Sequence, residues 1–358
     1  MLITVLVFHA ASPGKHSADC LVMARCPHKQ WLDLSGFERE WSLSYGQRYR
    51  LIIESLKHPS DQFPSTIFFV GKQRKISTLQ HIFVKNNLPQ RQARGIANLH
   101  LDQTDLDTDY PLLFADCNPD TVPTKELGRW NGCHETNRFP LGSPECVSAS
   151  ARELAELVCC RLLFLFTDVI CLFADDLGGL SRTFLRLRRW CERGSSSVGL
   201  LPSILVITSD PVGGDDAQKF HLLGRTPAFL KSFTTLELIS MPRQRRPSPD
   251  ATAARLKSAL VAHVDRARRT RIESMTLFSA THLGAFFDAA LRAFTRHPQT
   301  PFDFLETTRL GRTLDGMTPH TERLLSLCQQ NAVPPEAAER FIASALWMDA
   351  QPRAMHRP

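Results

Sequence analysis

The chain has 358 residues, of which 43% are apolar and 22% are charged, and its formal net charge is +7. This composition excludes a wholly disordered or fibrous protein, and the length suffices for two or three domains with buried cores. The longest apolar run is interrupted by Asp168 and is shorter than the ~20 residues of a membrane-spanning helix. The opening segment lacks the basic start of a signal peptide, so we expect a cytoplasmic protein whose ten cysteines are reduced thiols.

The first 60 residues show little regular pattern, apart from a strand-like run at 2–8 and a helix at about 45–56. Four residues of metal-ligating types lie in this region, namely His16, Cys20, Cys26 and His28. They are candidates for a zinc site, but their spacing fits no standard zinc finger. Unligated surface residues are the alternative interpretation.

From residue 65 onward, apolar runs alternate with helical patterns. Strands are predicted at 66–70, 96–101, 112–116, 169–174, 203–210 and 235–240, and helices at 77–85, 149–166 and 180–193. The runs lack polar alternation, which is typical of parallel strands covered on both faces. The pattern therefore predicts an α/β fold of Ras-like, P-loop type, with a mostly parallel sheet and helices on both faces.

A stretch rich in proline and arginine at 242–249 separates this region from a helical carboxyl-terminal part. Helices are predicted there at 250–273, 282–295, 321–330 and 335–348. The sequence thus predicts three regions: an irregular segment 1–60, an α/β domain 61–245 and a helical domain 246–358.

The strand ends follow the order of a guanine-nucleotide-binding domain. The first strand of the α/β domain leads into Gly71-KQRKIST, which matches the phosphate loop G-x-x-x-x-G-K-[ST] at Gly71 and Thr78. Ile76 replaces the second glycine and Ser77 replaces the lysine, so the backbone bend and the phosphate-contacting cation are both lost. Three nearby cations could still contact phosphate from unusual positions, namely Lys72, Arg74 and Lys75.

Two aspartates complete the predicted site. Asp116 ends a strand on the metal side, but Pro119 replaces the glycine of Asp-x-x-Gly. Asp210 matches the aspartate of the base-reading Asn-Lys-x-Asp, whose first two residues are Ile207 and Thr208 here. GTP or GDP with magnesium is the candidate ligand, without catalysis. A slow magnesium-dependent GTP or ATP hydrolase with an atypical phosphate loop is the alternative.

Other motifs give no catalytic residue. The Asp175-Asp176 pair has no histidine or lysine fixed beside it, so we expect it to cap the next helix. The stretch Gly194-SSSVG fails the serine elbow G-x-S-x-G at Val198 and is interpreted as a flexible turn. Cys133-His134-Glu135 has the letters of a thiol or metal site, but adjacent residues rarely face one another.

Basic residues are concentrated between Arg243 and Arg271, where nine arginines and lysines occur. A surface that binds anionic lipid or nucleic acid is one interpretation, and a solvated helix face is the other.

The assembled motifs resemble the amino-terminal, dynamin-like or degenerate nucleotide-hydrolase module of large filamentous-fungal proteins, many of which carry a patatin-like phospholipase domain. The matching stretches are 68–83, 94–102, 111–117, 133–136, 161–180, 204–211, 277–287, 301–304 and 340–357. Patatin-like enzymes use a serine in G-x-S-x-G and an aspartate in D-G-[GA]. Neither motif is present, since Asp315-Gly316-Met317 misses the second. The resemblance implies a regulatory or scaffold module, a partial member of the family, with a protein partner or a patatin-like domain as its partner.

Overall fold

A computed structural model describes residues 29–37, 40–89, 95–104, 106–120, 137–194, 201–241, 248–274, 276–304 and 314–350. The predicted strand at 2–8, the zinc candidates His16, Cys20, Cys26 and His28, and the motif Cys133-His134-Glu135 lie outside these residues. The chain forms two compact units, residues 1–302 and residues 303–358.

The first unit is built on one nine-stranded sheet. Its strands are β1 (Gln30–Phe37), β2 (Glu40–Tyr45), β3 (Ser65–Val70), β4 (Ala97–Leu101), β5 (Leu112–Cys117), β6 (Asn137–Pro140), β7 (Val169–Phe173), β8 (Ser203–Thr208) and β9 (Leu236–Ser240). Their order in the sheet is β6-β2-β1-β4-β5-β3-β7-β8-β9. The four pairings from β5 to β9 are parallel. The four from β6 to β5 are antiparallel.

The predicted α/β class is therefore confirmed, whereas the mostly parallel sheet is not, because the sheet is mixed. The difference comes from β1, β2 and β6, which the sequence pattern did not reveal. Strands β1 and β2 carry serine, aspartate or glutamine between their apolar residues, and β6 ends in Pro140 with exposed residues. Strands whose apolar residues are interrupted in this way give a weaker apolar signal than strands buried on both faces. The segment 1–60, predicted as irregular apart from a strand at 2–8 and a helix at about 45–56, thus supplies two strands that were not predicted, and the predicted helix is present at Arg48–Glu54.

Eleven helices lie in the described part of the chain. In the first unit these are α1 (Arg48–Glu54), α2 (Gln73–Ile82), α3 (Pro144–Ser148), α4 (Ala151–Arg161), α5 (Leu180–Arg193), α6 (Gly214–Leu223), α7 (Pro227–Leu230), α8 (Pro249–Glu273) and α9 (Ala280–Arg296). The second unit contains α10 (Leu314–Gln330) and α11 (Pro335–Ala350). No helix among the described residues is long and apolar enough to cross a membrane.

Helices cover both faces of the parallel strands. On one face, Phe69 and Phe114 pack with Leu256 of α8 in a single apolar cluster. On the other face, Phe68 contacts Phe164, which in turn meets Trp190 of α5 at 5.0 Å between ring centroids. Because both faces are covered, all six residues of β3 are buried, which explains why the apolar runs have no polar alternation.

Aromatic contacts join the two ends of the first unit. Trp31 of β1 stacks on Phe287 of α9 with ring centroids 5.2 Å apart, and Tyr49 of α1 lies at the same distance from Phe287. Helix α8 also packs on β3 and β7. The predicted boundaries near residues 60 and 245 therefore do not coincide with the compact units, which divide after Phe302.

Candidate functional site

The carboxyl ends of β3 and β7 meet where the chain turns to opposite sides of the sheet, the position at which α/β proteins bind ligands. The predicted phosphate loop lies here, but it is not a loop. Only Gly71 and Lys72 separate β3 from α2, and Thr78 is the sixth residue of that helix. Ile76 points into the core and is 8% exposed. Because the helix begins so early, the backbone does not wrap around a phosphate-sized space.

The amino terminus of α2 already holds an anion, the side chain of Asp176. The backbone N–H groups of Lys72, Arg74 and Lys75 donate to its carboxylate at 2.7, 3.1 and 2.9 Å. Asp176 belongs to a 3₁₀ turn, Ala174–Leu177, that directly follows β7. Unpaired N–H groups at a helix start attract anions such as phosphate. In this chain the carboxylate takes the place that a phosphate would need.

Gly71 allows this approach. A Cβ atom added at Gly71 would lie 2.8 Å from Asp176 Oδ2 and 3.0 Å from Phe173 Cβ. The glycine that matched the phosphate-loop pattern is therefore required to admit an internal side chain.

Asp175, the neighbouring residue, ties the ends of three strands together. Its carboxylate pairs with the guanidinium of Arg74 and accepts from the backbone N–H of Ser209, just beyond β8. Arg74 also donates through Nη2 to the Met241 carbonyl after β9, at 2.7 Å. Both ends of the Arg74 guanidinium are thus used in contacts that join the carboxyl ends of the strands.

Asp116, the predicted metal-side residue, is surrounded by donors. Its carboxylate lies 3.3 Å from Lys75 Nζ, 3.1 Å from His100 Nε2 and 3.3 Å from Asn98 Nδ2. Lys75 is fully buried and donates as well to the Cys117 carbonyl at 3.0 Å. Burial alone would raise the pKa of Asp116, but the Lys75 ammonium and the His100 hydrogen bond hold it well below its usual range. Burial lowers the pKa of His100 in spite of the nearby carboxylate, which favours the neutral imidazole.

The remaining predicted residues do not join this group. Lys72 Nζ pairs with Asp120 at 2.8 Å. Asp210 is exposed beyond β8, and its backbone N–H donates to Thr208 Oγ1 at 3.1 Å. The structure therefore brings together Gly71, Arg74, Lys75 and Asp116, but their charges are matched by the protein itself.

Sequence reasoning missed the residues that occupy the site. It assigned Asp175 and Asp176 to the cap of the following helix, yet α5 begins at Leu180 and its N-cap residue is Gly179, which has no side chain to form a cap. Asp176 does cap a helix, but that helix is α2, far earlier in the chain. His100 and Asn98 were hidden within a strand. The available signal was two consecutive aspartates at the end of the central strand.

The arginines between Arg243 and Arg271 lie in different environments. Arg271 is buried and pairs with Asp168 at 2.9 Å, and Arg268 lies over the Tyr110 ring at 4.2 Å. Arg266 and Arg269 of α8 are exposed. Arg243, Arg245 and Arg246 lie outside the described residues. Some of these arginines therefore stabilise the fold and are not available to a flat anionic surface.

Comparison with known proteins adds no identification. No family model matches the chain, and no curated protein is significantly similar to it. The resemblance to the fungal nucleotide-hydrolase-like module stays a hypothesis that depends on the residues themselves.

Proposed function

We propose that this chain is a degenerate nucleotide-hydrolase-like module that acts as a scaffold or regulatory element, with its phosphate position filled by its own carboxylate. The order of the strands supports the Ras-like part of the proposal. With β3 counted first and the strands β1, β2 and β6 set aside, the sheet reads 2-3-1-4-5-6. Only the second strand, β4, is antiparallel to its neighbour there. Ras-like nucleotide-binding domains have this arrangement.

The observation that carries the proposal is the Asp176 carboxylate on the first amides of α2. A nucleotide phosphate would have to displace a carboxylate that accepts three backbone hydrogen bonds. Hydrogen bonds to a charged group each contribute about 1.5–3 kcal/mol. If the carboxylate stays, the two anions repel at close range. Whether the carboxylate is displaced or stays, phosphate binding is therefore disfavoured. The association with a patatin-like lipase partner rests on the sequence resemblance alone.

Thermal unfolding of the full chain with GTP, GDP or ATP and magnesium tests this proposal. A ligand at ~100 times its dissociation constant would add about 2.7 kcal/mol to the stability of the folded state. We expect no magnesium-dependent stabilisation that distinguishes guanine from adenine nucleotides. Asp210→Ala and a control on exposed Asp215 of α6, Asp215→Ala, should both behave like wild type.

A guanine-selective, magnesium-dependent increase in Tm that Asp210→Ala abolishes and Asp215→Ala retains would overturn the proposal. That result would favour the slow hydrolase. The next measurement would then be nucleotide turnover in wild type and in Asp116→Ala.

A further inference from the structure

A second charged region lies beside α5. Helices α4 and α5 and the turns after β5 and β7 enclose an open cavity of about 830 Å³. Its volume is within the ~300–1,000 Å³ of small-molecule sites. Five of its lining residues are arginines and two are acidic, so the lining has a net charge of 5 − 2 = +3. We call this cavity the arginine pocket. Its arginines are Arg152, Arg182, Arg186, Arg188 and Arg189.

Arg186 forms the buried part of this pocket. Its side chain is 6% exposed, and Nη1 has no hydrogen-bond partner among the described residues. Its Nη2 lies 3.7 Å from Asp120 and its Nε 3.8 Å from Glu156. Both distances exceed those of a hydrogen bond. Burying a guanidinium without a close anionic partner is costly, and an anion held against Arg186 in the pocket would lower that cost.

Each of the two nearby carboxylates faces several cations, although Glu156 Oε1 forms no hydrogen bond with a residue that the structure describes. Asp120 is 2.8 Å from Lys72 Nζ, and Glu156 is shared with Arg189 at 3.4 Å and Arg193 at 3.7 Å. On the rim, Arg182 and Arg188 are exposed, and neither forms an ion pair with a residue that the structure describes. The positive charge of the pocket is therefore not balanced by the part of the protein that the structure describes.

We propose that the arginine pocket binds a small ligand that carries two or more phosphate groups. The planar guanidinium matches phosphate through paired N–H donors. Each phosphate brings a charge of about −1.5 to −2 at pH 7, so two of them offset the excess of the lining. Leu177 and Leu185 supply an apolar wall for the body of the ligand. This inference does not depend on the nucleotide-hydrolase-like reading of the fold.

Isothermal titration calorimetry with pyrophosphate and with inositol hexakisphosphate tests the proposal, with citrate as the carboxylate comparator. The pocket variant is Arg182→Glu/Arg188→Glu, which reverses two exposed rim charges. Its matched control is Arg266→Glu/Arg269→Glu, which makes the same change in net charge on exposed positions of α8. We expect affinity for the phosphate probes to fall by about tenfold or more in the pocket variant, since like charges would face the ligand. The control should stay close to wild type.

Arg186→Lys gives a second, independent variant. It retains the positive charge but removes the forked donor, so it should weaken the binding of phosphate probes while far-ultraviolet circular dichroism remains that of the wild type.

Vesicles distinguish the source of the phosphate groups. Binding to phosphatidylcholine vesicles that contain phosphatidylinositol bisphosphate, without binding of the soluble probes, would identify a lipid headgroup as the ligand. Equal loss in the pocket and control variants would overturn the proposal, as would tighter binding of citrate than of pyrophosphate. Absence of binding by every probe and vesicle would overturn it as well. Stabilisation by GTP that the pocket variant abolishes and Asp210→Ala retains would assign the nucleotide to this pocket and leave the scaffold proposal intact.

Discussion

The turn after β3 and the arginine pocket are both rich in cationic side chains, but they differ in how the charges are matched. At the turn, Arg74 is paired with Asp175 and Lys75 with Asp116, and the amides of α2 hold Asp176. In the pocket, Arg186 has a buried donor that no residue described by the structure accepts from. The charges at the turn are thus matched within the protein, whereas we propose that those of the pocket are matched by a ligand.

This contrast reverses the expectation from the sequence. The motif-like stretch Gly71-KQRKIST attracted the functional hypothesis, whereas for α5 the sequence predicted a helix and no site. Removing one member of a buried, matched pair is costly because the other charge is left alone. Removing a charge that has no partner should leave the free energy of unfolding nearly unchanged or raise it. Stability measurements can therefore separate the two regions before any ligand is known.

The largest effect is expected for Lys75→Met at the turn. Lys75 is fully buried, and its loss leaves the Asp116 carboxylate without the ammonium that faces it at 3.3 Å. We expect the free energy of unfolding to fall by about 3–5 kcal/mol. Urea denaturation followed by tryptophan fluorescence measures this change.

Lys72→Met is the matched control for that variant. The Lys72 side chain is 46% exposed and pairs with Asp120 at the surface, so its loss should cost about 0–1 kcal/mol. Similar losses in the two variants would contradict the assignment of Lys75 to a buried, matched pair.

Asp176→Ala should produce the next largest effect. The substitution leaves three backbone donors at the start of α2 without their acceptor, at a cost of about 1–3 kcal/mol. Asp176→Asn keeps an oxygen acceptor and should lose less. Both values come from the same denaturation experiment. If Asp176→Ala were as stable as wild type, the carboxylate would not be what closes this end of the helix.

A pH titration of stability tests the His100–Asp116 pair. The pKa of folded His100 lies below its usual range, so the unfolded chain binds a proton first as the pH falls through ~6.5. Stability should therefore decrease between pH 7 and pH 5 from this group. The pKa of folded Asp116 is held well below its usual range, so its contribution is present above ~4 and is lost only at more acidic pH.

His100→Gln should flatten the change in unfolding free energy between pH 7 and pH 5. His81→Gln serves as the control, because His81 is an exposed histidine of α2. An unchanged pH dependence in His100→Gln would mean that the buried imidazole does not titrate as proposed.

Much of the fold followed from the sequence because the central strands are covered on both faces. Runs such as Thr66–Val70 and Val169–Ala174 have no polar interruption, and the structure places β3 and β7 there. Helix α5 was predicted with its observed bounds, since Leu, Phe and Trp recur on one face. Strands β1, β2 and β6 were missed because polar residues and Pro140 interrupt their apolar pattern. The predicted helix at 77–85 in fact begins at Gln73.

The site was less predictable, because its contacts join residues that are distant in sequence. Asp176 meets α2 only when β7 lies beside β3, a pairing that local patterns do not contain. The spacing of Gly71 and Thr78 suggested a phosphate-binding loop, but a match to a sequence motif does not show that α2 already begins at Gln73. Likewise, only the three-dimensional structure shows that Asp120 and Glu156 lie 3.7 and 3.8 Å from Arg186, too far for a hydrogen bond.

The smallest effect, and opposite in sign to the others, is expected for Arg182→Gln/Arg188→Gln in the absence of ligand. The arginines of the pocket repel one another, and these two have no acidic partner among the described residues. Neutralising them should leave the free energy of unfolding unchanged or raise it by ~0.5 kcal/mol at low ionic strength. Added salt should reduce the gain, because it screens exposed charges. Urea denaturation at low and high salt measures both. A loss comparable with that of Asp176→Ala would mean that these arginines serve the fold, and the contrast between the two regions would then fail.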